Sequence, residues 1–353
     1  VNGTIYVISG SGNYFYNTAT DNWTAFASMP TPREGFAVAA CDNKIYVIGG
    51  EELGFQFPLH YSSDISYSAA NEVYDPSTNT WATKASMPIG TSSMQANTVK
   101  GKIYLIGGSI VTAGTPPYTW ATPTVNFTEI YDPATDSWTK GAPIPYPVLG
   151  YASAIVDNKI YVIGGQDEYN LPEINVTFNQ IYDPASNSWS FGAPIPVATF
   201  SAVAGATTGE QAPERIYVLG GSGGFGVGLN QNYVYDPVAN NWTAATPMLT
   251  ARYSPTAAVV DDVLYVIGGW QDRDILTTNE QYTPIGYVAS PTPTSSKFDD
   301  SSAPLASQQP TQSSQPQLPS VPILSYVAIV IVLATVIVVA IIVLNKKRRK
   351  TTR

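Results

Sequence analysis

Six times along this chain an apolar run of the Ile-Tyr-Val-Ile type ends in a pair of small residues. The pairs are Ser9-Gly10, Gly49-Gly50, Gly107-Gly108, Gly164-Gly165, Gly220-Gly221 and Gly268-Gly269, which gives repeat lengths of 40, 58, 57, 56 and 48 residues. A period near ~50 residues, with room for four strands in each unit, marks a β-propeller rather than a helical solenoid. The spacing therefore predicts the architecture and moves function from the core to the loops.

The sequence after each pair is as regular as the pair. Asn71-Glu-Val-Tyr-Asp-Pro-Ser-Thr-Asn-Thr-Trp81 returns with small changes at Thr128 to Trp138, Asn179 to Trp189 and Asn232 to Trp242. Asp-Pro is a turn pair, because Pro presets φ and Asp bonds the backbone ahead of it. Each unit thus reads as four strands: A, rich in small residues; B, apolar with the glycine pair; C, with Tyr-Asp-Pro; and D, with Trp. Strand B, apolar on both faces, suits burial between blades, and strand A suits the crowded ring around the axis. The glycines allow backbone angles and close approaches that a Cβ forbids. Trp23, Trp81, Trp138, Trp189 and Trp242 share one position in five units and read as packing residues.

The conjunction of Gly-Gly, Tyr-Asp-Pro and Trp resembles the kelch family, and the resemblance covers residues 3 to about 286. Kelch repeats form one four-stranded blade each, so the resemblance implies an all-β, six-bladed propeller over 1–286. Unit 1 shows B, C and D without an A strand, and unit 6 shows A, B and C without a D strand. We expect 22 of 24 strands, a weak seam between blades 1 and 6 that Ile285 to Ser290 partly fills, and a natural chain that begins earlier.

Composition changes after Gly286. Residues 287–322 are dominated by Ser, Thr, Pro and Gln and are read as a stalk that buries too little apolar surface to fold. Residues 323–344 carry no charge, and at ~1.5 Å per residue a helix of this length spans a hydrocarbon core ~30 Å thick. The basic stretch in 345–353 then predicts a cytoplasmic tail and a propeller outside the cell, on a single-pass anchor in the cell membrane. Residues 1–286 hold 10 Lys and Arg against 24 Asp and Glu, a net charge of −14, which argues against nucleic acid as a partner. Asn-x-Ser/Thr triplets at Asn2, Asn22, Asn126, Asn175 and Asn241 are candidate glycosylation acceptors.

The inventory constrains chemistry. One histidine, His60, and one cysteine, Cys41, leave no imidazole–thiolate set for zinc or copper and no disulfide, so no metal and no cofactor are expected. Cys41 ends a small-residue strand and is read as buried and inert. A Ser/His hydrolase would have to use His60, which has no Gly-x-Ser-x-Gly elbow near it. Galactose oxidase resembles the scaffold but needs histidine ligands to copper. N-acetylneuraminate epimerase, another kelch protein, is the nearer enzymatic comparison, since carboxylates and arginines suffice there. Arg33 and Arg252, at the D–A junctions, are read as structural; no catalytic residue is nominated.

Strands A and B run in opposite directions, so the B–C and D–A loops emerge on one face. That face gathers Phe55, Phe57, His60, Tyr61, Tyr67, Tyr118, Trp120, Tyr169, Trp270 and Arg273, which we take as the candidate binding residues. Trp120 and Trp270 stand outside the register of the packing tryptophans. The expected function is a membrane-anchored, non-catalytic module that binds an extracellular protein or glycan or mediates adhesion. A sugar-directed enzyme and a structural coat protein are the alternatives.

Overall fold

Each Ile-Tyr-Val-Ile run forms strand B of a blade with its side chains covered on both faces. Strand B of blade 2, Lys44–Ile48, keeps Ile45 to Ile48 at or below 3% exposure because blades 1 and 3 pack on its two sides. In the computed structural model, which describes residues 1–289 other than 2, 11, 53–66, 114–119, 122, 168–173, 225–226 and 273, six such blades form a propeller. These residues lie in one compact unit that runs from Val1 to Thr292. The proposed stalk beyond its first three residues, the membrane span and the tail fall outside the described residues. Among the described residues no helix is long and apolar enough to cross a membrane.

Blades 2 to 5 are antiparallel four-stranded meanders. Strands A to D are Ala37–Cys41, Lys44–Ile48, Asn71–Asp75 and Thr80–Lys84 in blade 2. In blade 3 they are Gln95–Val99, Lys102–Ile106, Thr128–Asp132 and Ser137–Lys140. Blade 4 has Ala152–Val156, Lys159–Ile163, Asn179–Asp183 and Ser188–Phe191. Blade 5 has Val203–Ala206, Ile216–Leu219, Asn232–Asp236 and Asn241–Ala244. Blade 1 has three strands, Thr4–Ser9, Gly12–Asn17 and Asn22–Ala25. Blade 6 also has three, Thr256–Val260, Val263–Ile267 and Asn279–Tyr282. The blade strands therefore number 22 among the described residues, with A absent from blade 1 and D from blade 6, as the repeats predict.

The seam is filled in part, though not by a strand. Residues 285–289 add no strand to the seam, because Pro284 and Gly286, at φ +83°, turn the chain away. The Val288 N–H instead donates to the Gln211 carbonyl at 2.7 Å, on the A–B connection of blade 5. Tyr287 packs beside the cluster of Ile5, Tyr16, Val263, Tyr265 and Ile267 that joins blades 1 and 6.

Neighbouring blades are fastened by a repeated clasp. In blade 2 the Trp81 ring lies 5.3 Å from Tyr74, and its Nε1–H donates to the Ala27 carbonyl at 2.8 Å. The Ala27 N–H donates to Asn79 Oδ1, which also accepts from the Tyr74 hydroxyl. The same linker alanine is held from both sides in later blades, with Trp138, Trp189 and Trp242 donating to Ala85, Ala142 and Ala193. The clasping acceptors Asn79, Asp136, Asn187 and Asn240 all have φ between 49° and 54°, a left-handed turn that Asn and Asp tolerate. Trp23 packs against Tyr16 with ring centroids 4.9 Å apart but remains 39% exposed at the seam.

The glycine pairs are required by packing. A Cβ on Gly49 would lie 2.5 Å from the Thr91 carbonyl, and the Gly50 N–H donates to that same carbonyl in the linker to blade 3. Cys41 is 4% exposed; burial, reinforced by Asp42, pushes its thiol up to about 11, which makes it inert.

Candidate functional site

The loops that connect D to A and B to C meet on one face. Arg33–Glu34 pairs with Glu51–Glu52, and single bridges join Ser92 to Ser109, Leu149 to Gln166, Phe200 to Ser222 and Tyr253 to Trp270. Each D–A loop is therefore tied to the B–C loop of the blade it enters. The antiparallel meander dictates this, and it turns the connections into one continuous surface.

Among the expected binding residues, Phe55, Phe57, His60, Tyr61, Tyr118, Tyr169 and Arg273 lie outside the described residues. Trp120 begins a two-residue strand, Trp120–Ala121, that pairs with Thr112–Ala113 in the B–C loop of blade 3. Trp270 opens a similar hairpin with Asp274–Ile275, and Trp270 and Tyr253 exchange both backbone hydrogen bonds, at 2.8 and 2.9 Å. Its side chain is 39% exposed beside Ile275, which is 68% exposed. Tyr67 is half-buried under the next linker, where a Cβ on Gly90 would meet its carbonyl oxygen at 1.9 Å.

The sequence reading missed the D–A loops as apolar surface. Ile89, Tyr146 and Val197 follow the Pro of consecutive linkers and are 41%, 50% and 40% exposed, and Leu249 in the next linker is 93% exposed. Their recurrence after Met-Pro and Ile-Pro was the available signal. Tyr146 is held through both its backbone and its ring. Its N–H donates to Gln180 Oε1 at 3.0 Å, and its carbonyl accepts from Gln180 Nε2 at 2.9 Å. Its ring stacks on Phe178 at 4.5 Å and 23°, and Phe191 meets it edge-on at 5.9 Å.

Arg33 and Arg252 are fully buried and structural. Arg33 donates to the carbonyls of Thr31, Val47 and Gly49 and pairs with Glu72, which is 3% exposed. Arg252 serves blade 6 in the same way, with Gly268, Thr278 and Glu280. Blade 4 replaces the pair by Val148 and Gln180, and blade 5 by Thr199 and Tyr233. Blade 3 changes only half of it, with Thr91 in place of the arginine but Glu129 retained. Glu129 is 4% exposed, and neither carboxylate oxygen has a hydrogen bond. Burial raises its pKa above the ordinary carboxylate range, and the Lys140 ammonium, 3.9 Å away, opposes that shift.

An axial well of about 500 Å³ runs along the A strands to the loop face. Its lining includes Tyr6, Phe36, Gln95, Tyr151, Phe200 and Thr256 and carries no charged side chain among the described residues. At its mouth Ser93, Gly150, Ser201 and Ser254 each donate a backbone N–H to the carbonyl of the matching residue one blade back, starting from Gly35. All five have φ between 49° and 60°, and a Cβ on Gly150 would lie 2.2 Å from the Phe200 ring. Among the described residues the well itself is lined by uncharged groups, and apolar side chains stand on the loops around it, an arrangement suited to binding.

Comparison with known proteins agrees with this geometry. The family model described as Attractin/LZTR1 beta-propeller matches residues 63–285, and the Kelch motif model matches 32–88. Kelch-like protein 25 of Xenopus tropicalis is 29% identical over 260 residues, covering 73% of this chain and 40% of that protein. Kelch-like protein terF of Aspergillus terreus is 28% identical over 76% of this chain and 56% of its own length. Beta-scruin of Limulus polyphemus is 26% identical over 78% of this chain and 29% of its own. The chain thus spans between 29% and 56% of the length of these relatives. A solved structure titled Structure of YjhT superposes with a TM-score of 0.64 at 20% identity, over 78% of this chain and 90% of that one, which shows a shared fold.

Proposed function

The chain belongs to the attractin/LZTR1 β-propeller family of kelch-motif proteins, and from that premise we propose that it is a non-catalytic module whose loop face binds a partner protein. Kelch propellers typically serve as protein-interaction modules. The observation that carries the reading here is the set of apolar side chains held outward on the loop face of consecutive blades: Ile89, Tyr146, Val197, Leu249, Trp270 and Ile275. Exposed apolar groups on backbone fixed by loop-to-loop bonds favour a protein interface, because little ordering entropy is lost on contact.

In this proposal residues 323–344 anchor the chain in a membrane, 287–322 form the stalk and the propeller faces the cell exterior, where adhesion or ligand capture takes place. The uncharged run followed by the basic tail supports that topology. A glycan ligand in the axial well is a second reading, favoured by the seryl groups at its mouth. Sugar-directed acid–base chemistry would draw on an arginine and carboxylates there. Arg33 and Arg252 are instead committed to buried pairs, which favours binding over catalysis.

The test is a glycan and surface-protein array probed with the full chain and with two variants. Saturable binding should be lost in Trp270→Ala/Leu249→Ser and kept in Val238→Ser, a substitution on a C–D turn of the opposite face. Equal binding by all three proteins rejects the loop face. Protease added to intact cells tests the topology, since an uncut propeller would place it inside.

A further inference from the structure

The strands of blades 3 and 4 are in the same register, which allows their loop-face positions to be compared residue by residue. Glu129 faces Lys140 across strands C and D of blade 3, and Gln180 faces Phe191 in blade 4. Phe127 and Phe178 are likewise equivalent, each two residues before that position. In blade 3 the protein supplies its own cation, with Lys140 Nζ 5.8 Å from the centroid of the Phe127 ring. Blade 4 exchanges that lysine for Phe191 and adds Tyr146, so three rings gather where blade 3 has one ring and an ammonium.

We propose that this three-ring cluster is a socket for a cationic side chain, an arginine, presented by the partner protein; the proposal rests on the loop-face reading above. Tyr146 and Phe191 are 50% and 53% exposed, so their rings remain open to a ligand. Gln180, itself fully buried, fixes the Tyr146 backbone through two hydrogen bonds, so the ring is positioned before binding. Aromatic faces attract cations through their quadrupole, and a guanidinium stacks on them while shedding water more readily than an ammonium. Charge complementarity points to the same occupant, since residues 1–286 carry 24 acidic against 10 basic side chains.

The experiment measures binding of a tri-arginine peptide and its uncharged tri-citrulline counterpart to the full chain. The arginine peptide should bind at least about tenfold more tightly, and Tyr146→Ala/Phe191→Ala should lose about tenfold. Phe191→Lys rebuilds the blade 3 arrangement, which shows that the fold accepts a lysine there, and should lose at least as much. Val238→Lys adds the same charge on the opposite face and should cost less than about twofold. Equal weakening by Phe191→Lys and Val238→Lys would reduce the effect to bulk charge and overturn the socket. So would an unchanged affinity in the double alanine variant. The loop-face reading is decided separately, by partner capture in Trp270→Ala/Leu249→Ser.

Discussion

Replacing Glu129 by Gln should stabilise the protein at neutral pH. Both carboxylate oxygens lack hydrogen bonds at 4% exposure, because Thr91 stands where blades 2 and 6 place an arginine. A buried acceptor left unsatisfied costs about 1–3 kcal/mol, and more when charged. Lys140, 3.9 Å away on a side chain 70% exposed, offsets only a part that solvent screens. Gln180 shows how a glutamine fits at this register position, bonding the linker backbone through both ends of its amide. A net gain of about 1–2 kcal/mol follows, or a rise in Tm of about 2–6 °C for a domain of this size.

The pH dependence has a definite sign. Burial raises the folded-state pKa of Glu129, so the fold favours the protonated acid. The stability it contributes is full below the unfolded pKa, near ~4.3, and is lost as pH rises through the folded value. The advantage of Glu129→Gln should therefore be smallest below about pH 4 and reach its full size above the folded pKa. Thermal unfolding of both proteins at matched scan rates from pH 4 to 8 measures it. A variant no more stable than wild type at pH 7, or two parallel pH profiles, would refute the reasoning.

Three further outcomes are expected. Arg33→Met strands the Glu72 carboxylate at 3% exposure and should cost about 3–5 kcal/mol in chemical denaturation, part of it recovered by adding Glu72→Gln. Trp138→Ala removes a packed ring and its bond to Ala85 and should cost about 3–5 kcal/mol, whereas Trp23→Ala, at a ring 39% exposed, should cost about 1–2; equal losses would deny that the clasp matters. In a glycosylating host, mass spectrometry should find sugar on the exposed Asn22, Asn126 and Asn241 before Asn175, whose Nδ2 donates to the Ser222 carbonyl at 3.0 Å.

The blades were legible because their determinants are local. The glycine pair, the Asp-Pro turn and the in-register tryptophans each lie within one repeat, and so do the arginines that fasten strands B and C. The clasp was half legible: the Asn or Asp two residues before each tryptophan is visible, but its partner alanine lies about 50 residues earlier and has no composition of its own. The aromatic cluster was not legible at all, since Tyr146, Phe178 and Phe191 come from three separate segments. Only comparison of equivalent positions, Lys140 with Phe191 and Phe127 with Phe178, exposes the exchange. The orphaned Glu129 was hidden for the same reason, because an acid in a strand carries no sign of the arginine it lacks.

The contact between Tyr16 and Tyr265, 6.1 Å between ring centroids, sets the order in which this ring can be assembled. Each of the four clasps joins residues about one repeat apart, so the joints from blade 1 to blade 5 can form as the chain emerges, each soon after its blade. The sixth joint brings together residues about 250 positions apart. Lengthening the closed loop from about 50 to about 250 residues adds only ~1.4 kcal/mol of entropy cost. The last joint is thus inexpensive to close once its neighbours have formed. Closure of the ring therefore comes last in assembly, after the joints whose partners lie within one repeat.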